Sequence, residues 1–256
     1  MLRARIIPCL LVRNRGLVKT RKFGEDRYVG DPLNAVRIFN EKGVDELIVL
    51  DIDATTQGRE PDYGLIENMA AECRMPLGYG GGVSTVDQAK RIMALGVEKV
   101  SLSAAAAARP ALVAEIARQV GSQSVVVVLD VKKKMLGGHG IYVHNGTKDT
   151  KRDPVSFARE LESLGVGEIV INSIDNDGMM KGYDLAIAED IRRAVSVPIT
   201  VMGGAGSVED MKQAVERLGV VGVGAGSLFV FKGQFRAVLI SYPSPGERDE
   251  LQAVLK

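Results

Sequence analysis

Short apolar runs alternate along this chain with longer amphipathic stretches. Runs of strand length fall at 5–12, 46–52, 76–79, 97–102, 124–131, 168–174, 198–202 and 220–225. Most are separated by segments with the apolar spacing of a surface helix, such as "PLNAVRIFNEKG" and "STVDQAKRIMALG". This predicts eight strands alternating with helices. The punctuation agrees: Asp31-Pro32 and Asp153-Pro154 pair an N-cap with proline at the first helical position, Ser84 and Ser207 supply further N-caps, and Gly43, Gly96, Gly165 and Gly219 close helices. Strands that are apolar on both faces and joined by helices require a parallel sheet covered by helices.

An internal repeat sharpens the prediction. "MPLGYGGGVSTVDQAKRIMALGVEKV" from residue 75 and "VPITVMGGAGSVEDMKQAVERLGVVGV" from residue 197 share one pattern of strand, glycine turn, helix and strand. "DELIVLDID" at 45–53 likewise aligns with "GEIVINSID" at 167–175, and the opening strands align Leu11 with Asp130. Four βα units doubled give a closed (β/α)₈ barrel, an α/β fold of typical length at 256 residues. We read 1–256 as one barrel domain with half-barrels at about 1–122 and 123–240 and a divergent tail at 236–256. A doubly wound open sheet is the weaker alternative, because it does not predict the repeat.

Composition narrows the function classes. Apolar residues make up 46% and the net charge is +1, an ordinary globular balance with no general nucleic-acid surface. No apolar run reaches the length of a membrane span, and "MLRARIIPCLLV" is too short and lacks a cleavage site for a signal peptide. A cytoplasmic location is expected. Cys9 and Cys73 have no metal-type spacing and read as free buried thiols rather than a disulfide or a zinc site, and no cofactor is expected.

In such a barrel chemistry belongs at the C-terminal ends of the strands. There lie Gly81 and Gly82, Ser103 and Ala104, Asp177 and Gly178, Gly203 and Gly204, and Gly226 and Ser227. Glycines opening onto a helix expose backbone N–H groups to an anion, and two related sets across a barrel would hold a ligand with a phosphate at each end; the alternative is that they are tight turns only. The loop after strand one gathers Arg13, Arg15, Lys19, Arg21 and Lys22, of which Lys19 is the substrate-loop candidate and a solvated loop the alternative.

The motifs "RIIPCL", "VGDP", "DELIVLDI", "GGGV", "EKVS", "SQSVVVVLD", "SIDNDGMMKGYD" and "GGAG" fall in one order and spacing. Over nearly its whole length the chain resembles HisF, the cyclase subunit of imidazole glycerol phosphate synthase. The resemblance implies a barrel that takes ammonia from a HisH-type glutaminase, passes it along the axis, and uses it to cleave and cyclise a bisphosphorylated aminoimidazole ribonucleotide. It also implies two aspartates as general acid and base. Asp130 matches the second; the first falls on Leu11, which can neither give nor take a proton. Ser103, Ala104 and Met179 depart from the family's phosphate sites, and the tail "RAVLISYPSPGERDELQAVLK" does not read as its usual last helix.

At the opposite end the resemblance implies an ammonia gate of Arg5, Glu46, Lys99 and Glu168, with Glu98 at the glutaminase contact. Read from the residues alone, the same four charges are an ordinary ion-pair ring stabilising the barrel bottom. The expectation is a HisF-like conduit whose ammonia serves another acceptor; the chain resembles the HisF-like proteins that accompany a glutaminase and a sugar amidotransferase, and that resemblance implies amidination of a surface-polysaccharide sugar. A true cyclase and a non-catalytic glutaminase-activating scaffold are the alternatives.

Overall fold

A computed structural model describes residues 3–135 and 137–255. Eight parallel strands form the barrel: β1 (Arg5–Arg13), β2 (Leu47–Asp51), β3 (Leu77–Gly80), β4 (Lys99–Leu102), β5 (Val125–Lys133), β6 (Glu168–Ser173), β7 (Ile199–Met202) and β8 (Gly222–Ala225). Each pairs with the next, and β8 returns to β1 with Arg5 opposite Gly222. Outside them lie α1 (Pro32–Lys42), α2 (Tyr63–Glu72), α3 (Val86–Ala94), α4 (Ala111–Val120), α5 (Pro154–Ser163), α6 (Leu185–Ala194), α7 (Val208–Leu218) and α8 (Pro245–Ala253).

Local chemistry explains the boundaries. The Asp31 and Asp153 carboxylates accept from the Asn34 and Ser156 backbone N–H at 2.9 and 2.8 Å, capping α1 and α5 above a first-turn proline. Ser84, expected as an N-cap, is not one: Thr85 caps α3, because Gln88 reaches back to the Thr85 backbone and completes a capping box. Ser207 builds the same box with Asp210 on α7, at the corresponding point of the repeat.

Strand parity sorts the core into two layers. Outward residues such as Ile6, Leu47 and Val127 pack against the helices, while a smaller cluster of Ile7, Cys9, Ile48, Val126, Val128, Val170 and Met202 fills the barrel. β3 and β8 send only glycines inward. A Cβ on Gly78 or Gly80 would meet Ile48 or Leu50, and one on Gly222 or Gly224 would meet Thr200 or Met202.

Two segments differ from expectation. The loop after β1 is a β-ribbon in which β1 pairs antiparallel with Gly16–Thr20, itself paired with Asp26–Gly30. The tail does end in a helix: Ser244 and Glu247 form a capping box with Pro245 in the first turn of α8. Gln252 then holds the other terminus, donating to the Ala4 carbonyl at 2.8 Å and accepting from its N–H at 3.0 Å. Leu251 is fully buried although its helix is largely polar. Leu251→Ala is expected to cost about 2–5 kcal/mol in urea unfolding, and a loss of only a few tenths, typical of surface sites, would mean that α8 does not pack in solution.

Candidate functional site at the barrel mouth

The C-terminal ends of the strands open into a cavity of about 630 Å³. Leu11, Lys19, Gly81, Gly82, Ser103, Ala104, Asp130, Asp177, Gly178, Gly203, Gly204, Gly226 and Ser227 all line it. The repeat is visible in three dimensions. A Cβ on Gly81 would lie 2.4 Å from the Asp51 carbonyl, and one on Gly203 would lie 2.6 Å from that of Ser173, and both glycines have positive φ. The turns thus cross the ends of β2 and β6 too closely for a side chain. On the first side the Gly82 N–H donates to Thr55 Oγ1 at 3.2 Å, a neutral partner that an anion can displace.

The cavity floor is divided. Leu11 lies opposite Leu50 in the β1–β2 register and packs with it onto the inner apolar cluster. Half a barrel away Asp130 lies opposite Asn172, whose amide donates to Asp130 Oδ1 at 2.8 Å, while Ser103 Oγ donates to Oδ2 at 3.3 Å. Burial pushes the Asp130 carboxyl up to about 7, against the opposing effect of the Asn172 and Ser103 hydrogen bonds and with help from the Asp177 charge. A carboxyl so placed can both hold and release a proton near neutrality. Because its pKa rises on folding, the proton stabilises the folded state below about pH 4, and that contribution is lost as pH climbs toward 7. Asp130→Asn is therefore expected to gain stability relative to wild type on going from pH 4 to pH 8, measured by urea unfolding at each pH. Parallel curves for the two proteins would show an unshifted carboxyl.

The basic cluster expected after β1 is dispersed. Arg13 turns to Asp26 and Asp53 at 2.7 and 2.8 Å, and Arg15 to Asp62 at 2.6 Å. Lys19 is buried, its Nζ on the Cys9 carbonyl at 2.5 Å and directly below Gly226; desolvation lowers its pKa, opposed by Cys9 and Asp177. Arg21 and Lys22 remain exposed. The ribbon rests on the β6–α6 loop, with Thr20 Oγ1 donating to Asp177 at 2.7 Å and the Lys22 N–H to the Asp177 carbonyl at 3.0 Å. Ser103 is also redirected: its hydroxyl serves Asp130, and its backbone leads into a short helix, Ala104–Ala108. Arg59, which sequence reasoning passed over, lines the first side of the cavity and lies 3.5 Å from Asp51. Its loop carries no pattern that marks it.

At the other end of the axis four charges close a ring. Glu46 and Glu168 are each bonded by both Arg5 and Lys99: Arg5 binds Glu46 and, at 2.7 Å, Glu168, and Lys99 Nζ lies 2.8 Å from each. Burial would push the Glu168 carboxyl up, but the Arg5 and Lys99 charges outweigh it and hold it below the ordinary range. Above the ring the Ser101 hydroxyl is buried without a hydrogen-bond partner. Glu98, just outside, is exposed at the barrel bottom. No helix among the described residues is long and apolar enough to cross a membrane.

Comparisons with known proteins agree with this architecture. The chain matches the family described as histidine biosynthesis protein over residues 5–236. It is 57% identical over 249 residues, 97% of this chain and 96% of the relative, to a Vibrio vulnificus protein provisionally named as a HisF-type subunit of imidazole glycerol phosphate synthase. A Pseudomonas aeruginosa protein with the same provisional naming is 55% identical over 97% of this chain and 99% of its own length. The imidazole glycerol phosphate synthase subunit HisF of Streptococcus sanguinis is 40% identical over 90% of this chain and 91% of its own. The chain thus stands nearer to the provisionally named relatives than to that HisF, and it belongs to the histidine biosynthesis protein family as a HisF-like barrel of the imidazole glycerol phosphate synthase type.

Proposed function

We propose that this chain is the synthase subunit of a glutamine amidotransferase complex, receiving ammonia from a HisH-type glutaminase at the barrel bottom and delivering it to the mouth. The observation that carries the reading is the line of features along one axis: the four-charge ring, glycine-only faces of β3 and β8, the unpartnered Ser101 hydroxyl, and Asp130 in the cavity floor. Inward glycines leave room beside the axis, and a buried hydroxyl lacking a partner offers a hydrogen bond to a small polar molecule. Ammonia fits as the neutral species, because between the ring and Asp130 the inner apolar cluster lines the passage and ammonium would lose its water there.

Leu11 directs the acceptor away from cyclisation. With one proton-transfer group replaced by an alkyl chain, the ammonia serves a different electrophile, and we assign it to the amidination of a surface-polysaccharide sugar by a partner amidotransferase. A cyclase of histidine biosynthesis is the second reading, favoured by the retained Asp130 and by paired glycine turns with space for two phosphates.

The test is reconstitution with a purified HisH-type glutaminase. A one-to-one complex that accelerates glutamine hydrolysis is expected. Glu98→Lys, a change at an exposed side chain, is expected to weaken the complex by roughly fivefold or more. Absence of both complex and acceleration would remove the glutaminase from the proposal.

A further inference from the structure

The two ends of the cavity differ in charge. At the Gly82 end, Arg59 has Asp51 beside it at 3.5 Å. At the Gly178–Ser227 end there is an excess of positive charge from residues the family resemblance does not account for. After the short helix Ser227–Val230, Phe231–Lys232 and Ala237–Val238 form a hairpin whose connection carries Arg236. Its guanidinium lies over the Phe231 ring, 4.6 Å from the centroid. Its fork spans both turns, Nη1 donating to the Gly178 carbonyl at 3.2 Å and Nη2 to Ser227 Oγ at 3.4 Å. Both acceptors are neutral, and the second contact is long for a hydrogen bond.

Two further arginines come from the ribbon after β1. Arg27 sits over the same Phe231 ring at 5.4 Å and donates to the Arg236 carbonyl at 3.1 Å. Burial lowers the Arg236 pKa, and the Arg21 and Arg27 charges lower it further. Among the described residues none of the three has a carboxylate within ion-pair distance. The neighbouring Asp177 carboxylate is turned to Thr20 and to the Phe23 N–H instead. Like charges gathered without a counter-charge repel one another, and an anion relieves that repulsion. The planar fork of arginine matches phosphate oxygens two at a time, and a charged acceptor displaces a long bond to a neutral hydroxyl.

We propose that Arg236, with Arg27 and Arg21, forms a guanidinium cap over the Gly178–Ser227 end of the cavity and selects ligands that carry a phosphate monoester dianion there. This deepens the second reading above, in which the paired glycine turns hold a phosphorylated ligand, and rests on it. The ribbon and the hairpin, one from each end of the chain, meet to build this subsite, and the Gly82 end lacks its counterpart.

The probe is inorganic phosphate, titrated into the full ¹⁵N-labelled chain, with the Gly82 and Ser227 amide resonances reporting the two ends separately. Tighter binding is expected at Ser227 than at Gly82. Arg236→Gln is expected to weaken phosphate at the Ser227 end by roughly ten- to a hundredfold while leaving the Gly82 end unchanged, and Arg236→Lys is expected to recover only part of the loss. Should Arg236→Gln fail to fold, the paired change Arg21→Gln with Arg27→Gln, on exposed ribbon side chains, is expected to weaken the same end selectively. Unchanged affinity at Ser227 in these variants overturns the cap and leaves phosphate binding standing. No saturable shift at either end of the wild-type protein overturns the cap and the phosphate reading together.

Discussion

Imidazole glycerol phosphate formation by this chain, with ammonium salt as nitrogen donor, is expected to run about 10²- to 10⁴-fold below that of a relative with an aspartate at the position of Leu11, the usual cost of losing one positioned acid or base. The geometry makes that cost hard to avoid. Leu11 packs with Leu50 onto the inner apolar cluster, and across the floor Asp130 is held by Asn172 and Ser103. A single carboxyl near pH 7 can supply one proton transfer at a time. The measurement is steady-state product formation with saturating ammonium, alongside complementation of a histidine auxotroph. Turnover equal to that of an ordinary cyclase would return the chain to histidine biosynthesis and sink the alternative acceptor. Leu11→Asp then reports on the rest of the cavity: recovery means that the remaining geometry still suits cyclisation, and continued inactivity implicates Ser103, Ala104 and Met179 as well.

Replacing Lys99 by Leu is expected to uncouple glutamine hydrolysis from amination. Its Nζ joins Glu46 and Glu168, whose side chains are only 3% and 5% exposed. Without it two buried carboxylates share Arg5, so a stability cost of about 3 kcal/mol is expected, the lower end of the range for broken buried pairs, because the Lys99 side chain keeps 18% exposure. That corresponds to a melting temperature lower by roughly 6–12 °C in a domain of this size. The ratio of glutamate released to aminated product, measured well below that temperature, separates the roles. A conduit gives a raised ratio. An unchanged ratio together with the stability loss would leave the ring a structural brace.

The barrel is written plainly in the sequence because each strand is a run of buried β-branched and aliphatic residues bounded by caps and glycines. "VVVVLDV" and "GEIVINSID" need no tertiary information to be read as strands. The ribbon after β1 is another matter. Asp26–Gly30 is exposed along most of its length and owes its extended form to pairing with Gly16–Thr20, a contact that local pattern does not carry. Helix α8 hid for a related reason: with Leu251 as its one buried residue it has almost no apolar periodicity, although Ser244-Pro245-Gly246-Glu247 was a readable capping box. Ser84 reads as the cap from the sequence, yet the helix starts one residue later, where Thr85 and Gln88 complete the box. The site glycines were legible as turns. Arg236 was not, since nothing in "GQFRAV" foretells that its side chain crosses to Gly178.

The pairing of β8 with β1 has a consequence for how the chain is made. Arg5 waits for Gly222 as a partner, and Ala4 for Gln252. At ~5–20 residues per second, the roughly 210 residues between Arg13 and Gly222 take about 10–40 s to synthesise. Throughout that interval the Arg5–Pro8 stretch of a strongly apolar strand lacks the neighbour that β8 later supplies, although the Gly16–Thr20 ribbon already covers Leu11–Arg13, and unpaired edges invite association with other chains. A nascent half-barrel ending near residue 122 carries two such edges, one on β1 and one on β4, and these can close against a second copy of itself. The step that seals the barrel is therefore among the last in biosynthesis.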